Sequence, residues 1–411
     1  MDLIQEFKER ELLAQCTNLE AVEELLKKEK VTFYIGFDPT APSLHIGHFM
    51  QFKTIKYFQD AGHKAIVIFG GGTAMVGDPS GRTDLRPMLT KEEINGYIEN
   101  FKEQADKYIP GALYVNNADW LCEIKYMDML REIGVHFTVN RMLAAECFKS
   151  RYEKGLSFLE FNYMIMQGYD FYRLYKDYNC TLQCGGDEQW SNIIAGVELI
   201  RRKEAKEAYG LTFAILPGSD GKKMGKSAGN AVWLDPKLTS VYDFYQHWRN
   251  TDDSLVISYL KMMTYVPVSE ISEMAENFTD AKNINSAKDR LAYEVTKMIH
   301  GEEEAAKAQT AAKAVFYGGA DDANMPTTNL SESDFGGNDS ISIIDLLVIA
   351  KLALNSKNEP SKGEARRLIE QGGIFVDDKK VPDIGYSVSK KDIENGIIIR
   401  KGKKVFHKII L

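Results

Sequence analysis

The stretch that most constrains the fold is residues 31–50, VTFYIGFDPTAPSLHIGHFM. Over its first eight residues, apolar side chains alternate with small or polar ones, a period of two that predicts a β-strand. Two prolines then end the strand, and Ser43 stands where the N-cap of a helix is expected. The stretch therefore predicts a strand that is followed directly by a helix.

The first turn of this helix has the properties of a phosphate site. His45 and His48 are three residues apart, so both lie on one face of the turn. Gly47 carries no side chain, which would let a flat ring approach the backbone closely. The unpaired N–H groups and the helix dipole favour an anion at the same end. The alternative without a function is a pair of surface histidines at a helix start.

A second strand is predicted at residues 65–69, an almost continuous apolar run that is typical of a strand buried on both faces. Strand, helix and strand make a βαβ unit, and hence a parallel sheet with a right-handed crossover. The run from Gly70 to Gly72 is not a dinucleotide fingerprint, because the third glycine of that pattern would fall at Met75. We expect these glycines to let the backbone pass close to a ligand.

Polar residues after this strand are candidates for the site. Asp78 should lie at the carboxyl edge of the sheet, where open α/β sheets bind ligands. Arg82 and Arg86 follow in a polar stretch. These two arginines either close over phosphates or are simply solvated.

The segment 158–178 is predicted to be a largely apolar helix with one polar stripe formed by Tyr163, Gln167 and Asp170. Buried polar groups must be hydrogen-bonded, so the stripe binds either its own scaffold or a ligand. The next residues, CTLQC at 180–184, predict another strand that leads through two glycines into a polar helix start. A last strand is predicted at 211–216.

A lysine-rich run, KKMGKS at residues 222–227, follows this last strand. Lys223 and Lys226 are three residues apart with a glycine between them, a spacing that can place two ammonium groups on one polyphosphate. A solvated loop is the alternative. Finding the run after the final strand of a sheet that began with residues 45–48 favours phosphate binding.

The remainder of the chain divides by composition. Residues 232–316 have helical periodicity, and residues 318–340 are rich in Gly, Asp, Asn and Ser, which is typical of a linker. Residues 341–411 hold 14 Lys and Arg against 9 Asp and Glu, whereas the whole chain has a net charge of −8. That asymmetry indicates that the C-terminal part meets a polyanion.

The five cysteines lack metal-type spacing and indicate small buried side chains in a reducing compartment. The N-terminus is too charged for a signal peptide, and no apolar run approaches the length of a membrane span. We therefore expect a cytoplasmic protein.

The tetrapeptide HIGH at residues 45–48 is the signature of the class I aminoacyl-tRNA synthetases, which the chain resembles here. Related nucleotidylyltransferases carry a similar His-x-Gly-His. The run KMGKS resembles the second signature of the class, KMSKS, with Gly225 as its third letter. With the helical segment, the linker and the basic tail, the chain resembles the bacterial tyrosyl-tRNA synthetases over nearly its whole length.

The resemblance implies an α/β fold with a Rossmann-like parallel-sheet catalytic domain at residues 1–230, including an inserted helical segment at about 120–155 that carries a homodimer contact. It further implies an α-helical anticodon-side domain at 231–317, a linker at 318–340 and a small α+β S4-like RNA-binding domain at 341–411. The implied activity is that of a tyrosine–tRNA ligase. Such an enzyme activates L-tyrosine with ATP, using Mg²⁺ from solution and no protein-bound metal, and transfers tyrosyl to tRNA(Tyr).

The same resemblance assigns roles by position, with Tyr34 and Asp170 meeting the phenolic OH of the substrate. The implied tyrosine-binding residues are Tyr34, Asp78, Tyr163, Gln167, Asp170 and Gln189. The implied ATP-binding residues are Gly36, Asp38, His45, Gly47, His48, Gly186, Glu188, Lys223, Met224 and Lys226. Catalytic roles would fall to Thr40, His45, His48, Lys223, Lys226, Arg82 and Arg86. RNA binding would fall to Arg366, Arg367, Lys379 and Lys380.

Two positions depart from the family. Glu188 stands where an aspartate is usual on the ATP ribose, and Ile35 replaces a cysteine that touches the ribose in some relatives. The ribose contacts of this chain are therefore left open.

Two other classes of function remain to be weighed. A free nucleotidylyltransferase would not explain the helical segment or the basic tail. A catalytically silent RNA-binding paralogue would have no reason to keep both lysines and the pair Tyr34 and Asp170.

Overall fold

The computed structural model describes residues 2–80, 89–148, 155–218, 231–278, 280–317, 326–355, 359–377, 379–394, 396–402 and 405–411, with the backbone alone at residues 281 and 314–317. The chain divides into two compact units. One consists of residues 1–224 together with 258–263, and the other of residues 225–257 together with 264–411.

The first unit contains a six-stranded sheet. Its strands are β1 (Leu13–Cys16), β2 (Thr32–Phe37), β3 (Lys64–Phe69), β4 (Leu113–Asn116), β5 (Cys180–Gly186) and β6 (Tyr209–Phe213). Their order across the sheet is β1-β6-β5-β2-β3-β4, and every neighbouring pair is parallel except β1 with β6. The predicted α/β fold with a parallel sheet is confirmed.

The order of the strands reverses at the centre of this sheet. The chain adds β3 and β4 on one side of β2, and later adds β5 and β6 on the other side. Open α/β sheets bind ligands in the crevice beside the carboxyl ends of the strands at such a reversal. The carboxyl ends of β2 and β5 therefore mark the place to look for a site.

Helices surround this sheet. They are α1 (Leu3–Glu9), α2 (Leu19–Lys28), α3 (Ile46–Asp60), α4 (Lys91–Tyr108), α5 (Ala118–Leu121), α6 (Tyr126–Asp128), α7 (Val139–Leu143), α8 (Phe158–Tyr178) and α9 (Trp190–Glu204). Phe171 and Leu174 of α8 and Leu199 of α9 are buried in one core cluster with Tyr34 of β2. This packing fixes α8 beside the central strand.

Two local predictions in this unit are wrong. The spacing of apolar residues over 2–29 predicts helices. Residues 13–16 instead form the edge strand β1, because Glu11 has a φ of 59° that ends α1 and β6 supplies hydrogen-bonding partners. The N-cap of α3 is His45 and not Ser43. The Ser43 hydroxyl instead contacts the Leu44 carbonyl and the Gln104 side chain.

Helices follow the first sheet along the chain, and they belong to the second unit except for residues 258–263. They are α10 (Val241–Arg249), α11 (Val256–Met263), α12 (Val268–Glu276), α13 (Ala281–His300) and α14 (Glu302–Tyr317). The helical periodicity predicted for residues 232–316 agrees with these bounds. No helix among the described residues is long and apolar enough to cross a membrane.

The end of α11 belongs to the first unit. Lys53 of α3 is 1% exposed, and its Nζ donates to the carbonyl oxygens of Lys261 and Met262 at 3.2 and 2.9 Å. Nη1 of Arg10 donates to the same Lys261 carbonyl at 3.2 Å. The last carbonyls of a helix lack partners within the helix, so these two side chains complete the end of α11.

The C-terminal part of the second unit contains two small sheets. Its strands are β7 (Thr327–Asn329), β8 (Ser340–Ser342), β9 (Ile374–Val376), β10 (Lys379–Lys380), β11 (Ser387–Ser389), β12 (Ile397–Lys401) and β13 (Val405–Ile410), and its helices are α15 (Ile343–Ile349), α16 (Lys362–Glu370) and α17 (Lys390–Glu394). One sheet has the order β10-β9-β12-β13-β7, and β8 pairs with β11. Apolar residues from the strands and helices share one core.

The linker predicted at 318–340 is wrong for its second half. Residues 327–329 form β7, which pairs in parallel with β13, and Leu330 and Phe335 are buried in the C-terminal core. Two apolar side chains and backbone pairing are enough to fold a segment whose composition is otherwise polar. Residues 318–325 lie outside the described residues.

Candidate active site

Tyr34 and Asp170 are both buried in the first unit, close enough for the Asp170 charge to act on the Tyr34 hydroxyl. Tyr34 lies in the middle of β2 and is 1% exposed, and Asp170 lies on α8 and is 3% exposed. The Tyr34 hydroxyl makes no hydrogen bond to any described residue. Burial first, and the Asp170 charge second, raise the pKa of Tyr34 well above its ordinary value. A neutral phenol thus stands beside a carboxyl group.

Asp170 is held by two side chains that follow β4. Oδ1 accepts a hydrogen bond from Nε1 of Trp120 at 2.7 Å, and Oδ2 accepts one from Nδ2 of Asn117 at 2.9 Å. Burial raises the pKa of Asp170 to about 7, and the Asp38 charge adds to the effect, whereas the bonds from Asn117 and Trp120 oppose it. The carboxyl group therefore titrates near neutral pH.

A chain of hydrogen bonds connects Asp170 to Tyr163. Nδ2 of Asn117 donates to Thr73 as well as to Asp170, and the Thr73 hydroxyl donates to Oδ1 of Asp38 at 2.7 Å. The other oxygen of Asp38 accepts from the Tyr163 hydroxyl at 2.8 Å. Asp38, assigned to ATP by resemblance, thus already orients one of the residues assigned to tyrosine.

Asp78 and Gln189 form a second cluster. Oδ2 of Asp78 accepts from Nε2 of Gln189 at 2.7 Å, and Oδ1 accepts from the backbone N–H of Ser80 at 2.9 Å. Asn192 donates to both the Ser80 hydroxyl and Oε1 of Gln189. The structure therefore brings Asp78 and Gln189 together, 111 residues apart in the chain.

The two histidines of residues 45–48 lie at the start of α3, as predicted, but with a specific arrangement. Nδ1 of His45 accepts from the N–H of Gly47, and Nδ1 of His48 accepts from the N–H of His45, each at 3.1 Å. The rings are stacked with centroids 3.9 Å apart. Because Nδ1 of each ring is an acceptor, a neutral ring carries its proton on Nε2, which is then a hydrogen-bond donor.

The glycines of the site make room mostly for side chains of the protein. A Cβ on Gly70 would lie 2.0 Å from Oδ1 of Asp38, and one on Gly47 would lie 3.0 Å from the His45 ring. A Cβ on Gly186 would lie 2.5 Å from Oε2 of Glu188. We expected residues 70–72 to let the backbone approach a ligand. The structure shows instead that these glycines leave room for side chains of the protein, among them Asp38. Gly36 is the exposed residue of β2, and a Cβ there would lie 3.0 Å from Cγ2 of Ile68.

The remaining predicted residues divide into three groups. The backbone N–H of Thr40 donates to the Asp38 carbonyl at 2.9 Å, in the turn between β2 and α3, and Gln167 is half-buried on α8. Arg366 and Arg367 are exposed on α16, and Lys379 and Lys380 are exposed in β10. The residues that lie outside the described part of the chain are Arg82, Arg86, Lys223, Met224 and Lys226.

Sequence reasoning missed Asn117, Trp120 and Thr73. A signal for the first two was available, because both come directly after a parallel strand, at the same edge as Asp38. The described residues contain no group of three or more His, Cys, Asp or Glu side chains arranged to hold a metal ion.

Comparisons with known proteins agree with this geometry. A family model described as tRNA synthetases class I (W and Y) matches residues 26–317, and one described as the tyrosine–tRNA ligase SYY-like C-terminal domain matches residues 320–409. The parallel sheet, the histidines at the start of α3 and this match define a class I aminoacyl-tRNA synthetase.

Curated relatives extend over the full chain. The chain is 56% identical to a tyrosine–tRNA ligase of Acetivibrio thermocellus, with 98% of each covered. It is 52% identical to one of Caldanaerobacter subterraneus, with 100% of each covered. The chain belongs to the tyrosine–tRNA ligase family, whose members activate tyrosine with ATP and attach it to tRNA.

A solved structure gives the same result for the fold. A C-terminally truncated mitochondrial tyrosyl-tRNA synthetase of Aspergillus nidulans matches with a TM-score of 0.68 and 28% identity, over 77% of this chain and 94% of that one. That of Coccidioides posadasii matches with a TM-score of 0.64 and 30% identity, over 76% and 92%.

Proposed function

We propose that the side chain of the substrate tyrosine enters beside β2 and places its hydroxyl between Tyr34 and Asp170. The observation that carries this assignment is a buried phenol without a hydrogen bond to any described residue, close to a buried carboxyl group. Each Asp170 oxygen accepts one bond from the protein, and an ionised carboxylate keeps further acceptor capacity. The substrate hydroxyl donates to Asp170 and accepts from Tyr34.

Phenylalanine is rejected because it cannot make these bonds. A ring without a hydroxyl fills the same space and leaves the buried Tyr34 hydroxyl without a hydrogen bond. An unsatisfied buried polar group costs about 1–3 kcal/mol, and more when it is charged. Tyr34 and Asp170 therefore select tyrosine because the binding of phenylalanine is less favourable by this free energy.

The ammonium group of the substrate binds at Asp78, Tyr163 and Gln167, with Gln189 near the carboxyl end. The Tyr163 proton is directed to Asp38, so the phenolic oxygen presents its lone pairs to an approaching N–H donor. The Asp78 carboxylate is fixed by Gln189 and Ser80 and supplies the opposite charge.

ATP binds at the start of α3, with its phosphates facing Thr40, His45 and His48. Histidine rings whose Nδ1 atoms accept from the backbone present Nε2–H donors, and together with the positive end of the helix dipole they favour a polyphosphate there. The base and ribose bind near Gly36, Gly47, Gly186 and Glu188. On grounds of sequence, the phosphate site also includes Lys223 and Lys226, with Met224 between them. Arg82 and Arg86 complete it on the same grounds.

The tyrosine carboxylate attacks the α-phosphorus of ATP in line, and negative charge develops on the departing pyrophosphate. No covalent bond to the enzyme is needed, so catalysis rests on positioning and on electrostatic stabilisation by the histidines, the lysines and Mg²⁺ from solution. The ribose hydroxyl at the 3′ end of tRNA(Tyr) then takes the tyrosyl group from the adenylate, in the cytoplasm.

Tyrosine-dependent exchange of pyrophosphate into ATP tests this assignment. The purified chain should catalyse the exchange with tyrosine, and far more slowly with phenylalanine. Equal rates for both amino acids would refute the role of Tyr34 and Asp170, and no exchange with tyrosine would refute the site as a whole.

The C-terminal part serves tRNA and takes no part in activation. Residues 341–411 carry a net charge of +5, with Arg366 and Arg367 exposed on α16. A chain ending at about residue 325 should keep the exchange reaction and lose most of its tRNA charging. Full charging by that chain at ordinary salt would contradict the assignment.

The enzyme acts as a homodimer through the segment around α6 and α7. Large apolar side chains there are more than half exposed, namely Tyr126, Met127, Val135, Val139 and Phe158. A pocket of about 260 Å³ beside them is lined in part by Met142, Met164 and Trp190. A concentrated apolar surface of this kind is typical of a protein–protein interface.

A further inference from the structure

The larger C-terminal sheet has one face covered by its own core and one face turned away from it. Ile374 and Val376 of β9 and Ile397, Ile399 and Ile409 of β12 and β13 all lie in the core cluster. Side chains alternate along a strand, so the residues between these point to the opposite face. This face, termed here the outer face, includes residues 375, 398, 400, 406 and 408.

Four residues of the outer face form one row across neighbouring strands. Lys380 pairs with Phe375, Phe375 pairs with Arg400, and Arg400 pairs with Phe406. Residues directly opposite each other in antiparallel strands place their side chains on the same face, about 5 Å apart. Two cations thus alternate with two aromatic rings across the sheet.

Arg400 is held against an aromatic ring within this row. Its guanidinium carbon lies 3.8 Å from the centroid of the Phe375 ring, which is the distance of a stacked cation–π contact. Its Nη1 donates to the Gly402 carbonyl at 3.1 Å. The aromatic ring supports one side of the planar guanidinium, so the group is preorganised to stack on a second flat ring.

A second row adds a further cation. Ile398 pairs with Lys408, and Lys408 pairs with Thr327 of β7. Asp377, which follows β9, accepts a hydrogen bond at Oδ1 from the backbone N–H of Ile398 at 2.8 Å. The outer face therefore combines a stacked arginine with lysines on either side.

We infer that the outer face binds an unpaired nucleotide of RNA, with the base stacked on Arg400 and the flanking phosphates at Lys380 and Lys408. Unpaired bases stack on aromatic rings and on guanidinium planes, and basic side chains follow the backbone. A base within a duplex is already stacked on its neighbours and cannot reach such a surface. The inference rests on the proposed role of the C-terminal part in tRNA binding and extends it from α16 to the sheet.

The two lysines of β10 provide a matched pair for the test. Lys379 pairs with the core residue Val376, whereas Lys380 pairs with the outer-face residue Phe375. Both are exposed and carry the same charge. Only Lys380 lies on the outer face, so of the two β10 lysines that the family resemblance assigns to RNA binding, this inference keeps Lys380 and removes Lys379.

The experiment uses the full chain and two probes, a transcript of tRNA(Tyr) and a short RNA without secondary structure, with affinity measured by fluorescence anisotropy over a range of salt. Arg400→Gln and Arg400→Lys should both weaken binding to both probes by roughly tenfold, because stacking needs the plane and not only the charge. Lys380→Gln should flatten the salt dependence by about one phosphate contact, and Lys379→Gln should not.

Three results would overturn the inference: wild-type affinity in Arg400→Lys, equal effects of the two β10 substitutions, or equal binding of a fully paired RNA duplex and the unstructured RNA. Arg400→Lys keeps the length and charge of the side chain, so a folded variant is expected, and its circular dichroism checks this. Pyrophosphate exchange should be unchanged in every variant. If the wild-type chain exchanged pyrophosphate but did not charge tRNA, the proposed function itself would be wrong, and this inference would fall with it.

Discussion

Replacing Asp170 by asparagine should alter the pH dependence of stability in a way that can be calculated. The wild-type pKa of about 7 lies about three pH units above the ordinary carboxyl value of about 3.9. The folded state therefore keeps a proton that the unfolded chain releases between pH 4 and pH 7. Stability is lost as the pH rises through this window, and the loss is constant above it.

The magnitude follows from the same two values. At about 1.36 kcal/mol per pH unit, the full penalty is about 4 kcal/mol, and the part that develops between pH 5 and pH 7.5 is about 2 to 3 kcal/mol. Asp170→Asn does not titrate, so the stability of the variant relative to wild type should rise by this amount over that interval. The substitution also lowers the stability at every pH. The amide NH₂ group that replaces one carboxylate oxygen would face an N–H donor, either that of Asn117 or that of Trp120.

Hydrogen exchange measured without tyrosine and ATP can isolate this effect. The peptide that carries β2 reports the opening free energy of the first unit, once the intrinsic pH dependence of exchange is removed. Asp177→Asn is a matched control, since Asp177 lies on the same helix and is paired with Arg173 at the surface. The difference in opening free energy between Asp170→Asn and wild type should change over this interval. If it stays constant within about 0.5 kcal/mol from pH 5 to pH 7.5, the pKa of Asp170 is not raised.

Three further predictions concern the function. Tyr34→Phe should lower the preference for tyrosine over phenylalanine by about 0.5–1.5 kcal/mol, the worth of a neutral hydrogen bond, and unchanged ratios of exchange rates would exclude the phenol contact. Lys226→Ala should slow adenylate formation by roughly two powers of ten, or about 3 kcal/mol, with near-normal tyrosine affinity; pre-steady-state rates within about threefold of wild type would remove the lysine from the mechanism. Phe158→Ser should shift the chain towards monomers in sedimentation velocity. Tyr178→Ser, at the exposed far end of the same helix, should not.

The part of the site that residues 31–48 form could be predicted from the sequence, because the patterns that indicate it involve neighbouring residues. The alternation of residues 31–38 and the spacing of His45 and His48 are properties of adjacent residues, and the structure places a strand and a helix start there. Ser43 was a reasonable N-cap by residue type. Its hydroxyl is drawn to Gln104, 61 residues away, and His45 takes the cap position instead.

The hydrogen bonds around Asp170 could not be predicted from the sequence, because the residues that make them lie far apart in the chain. Asp170 was identified as one member of a polar stripe, but its partners Asn117 and Trp120 lie 53 and 50 residues earlier. The folding of residues 327–340 depends likewise on pairing with β13 at the end of the chain. Composition describes a segment alone and does not include the strand that it will join.

The contact between α3 and the end of α11 bears on how this enzyme can be divided. The first unit is discontinuous in the chain, because its last piece, residues 258–263, comes after α10, the first helix of the other unit. A fragment cut at residue 230 would leave Lys53 and Arg10 inside the protein without the carbonyl oxygens of Lys261 and Met262. Chimeras that exchange the N-terminal half between relatives should therefore place the junction beyond Met263.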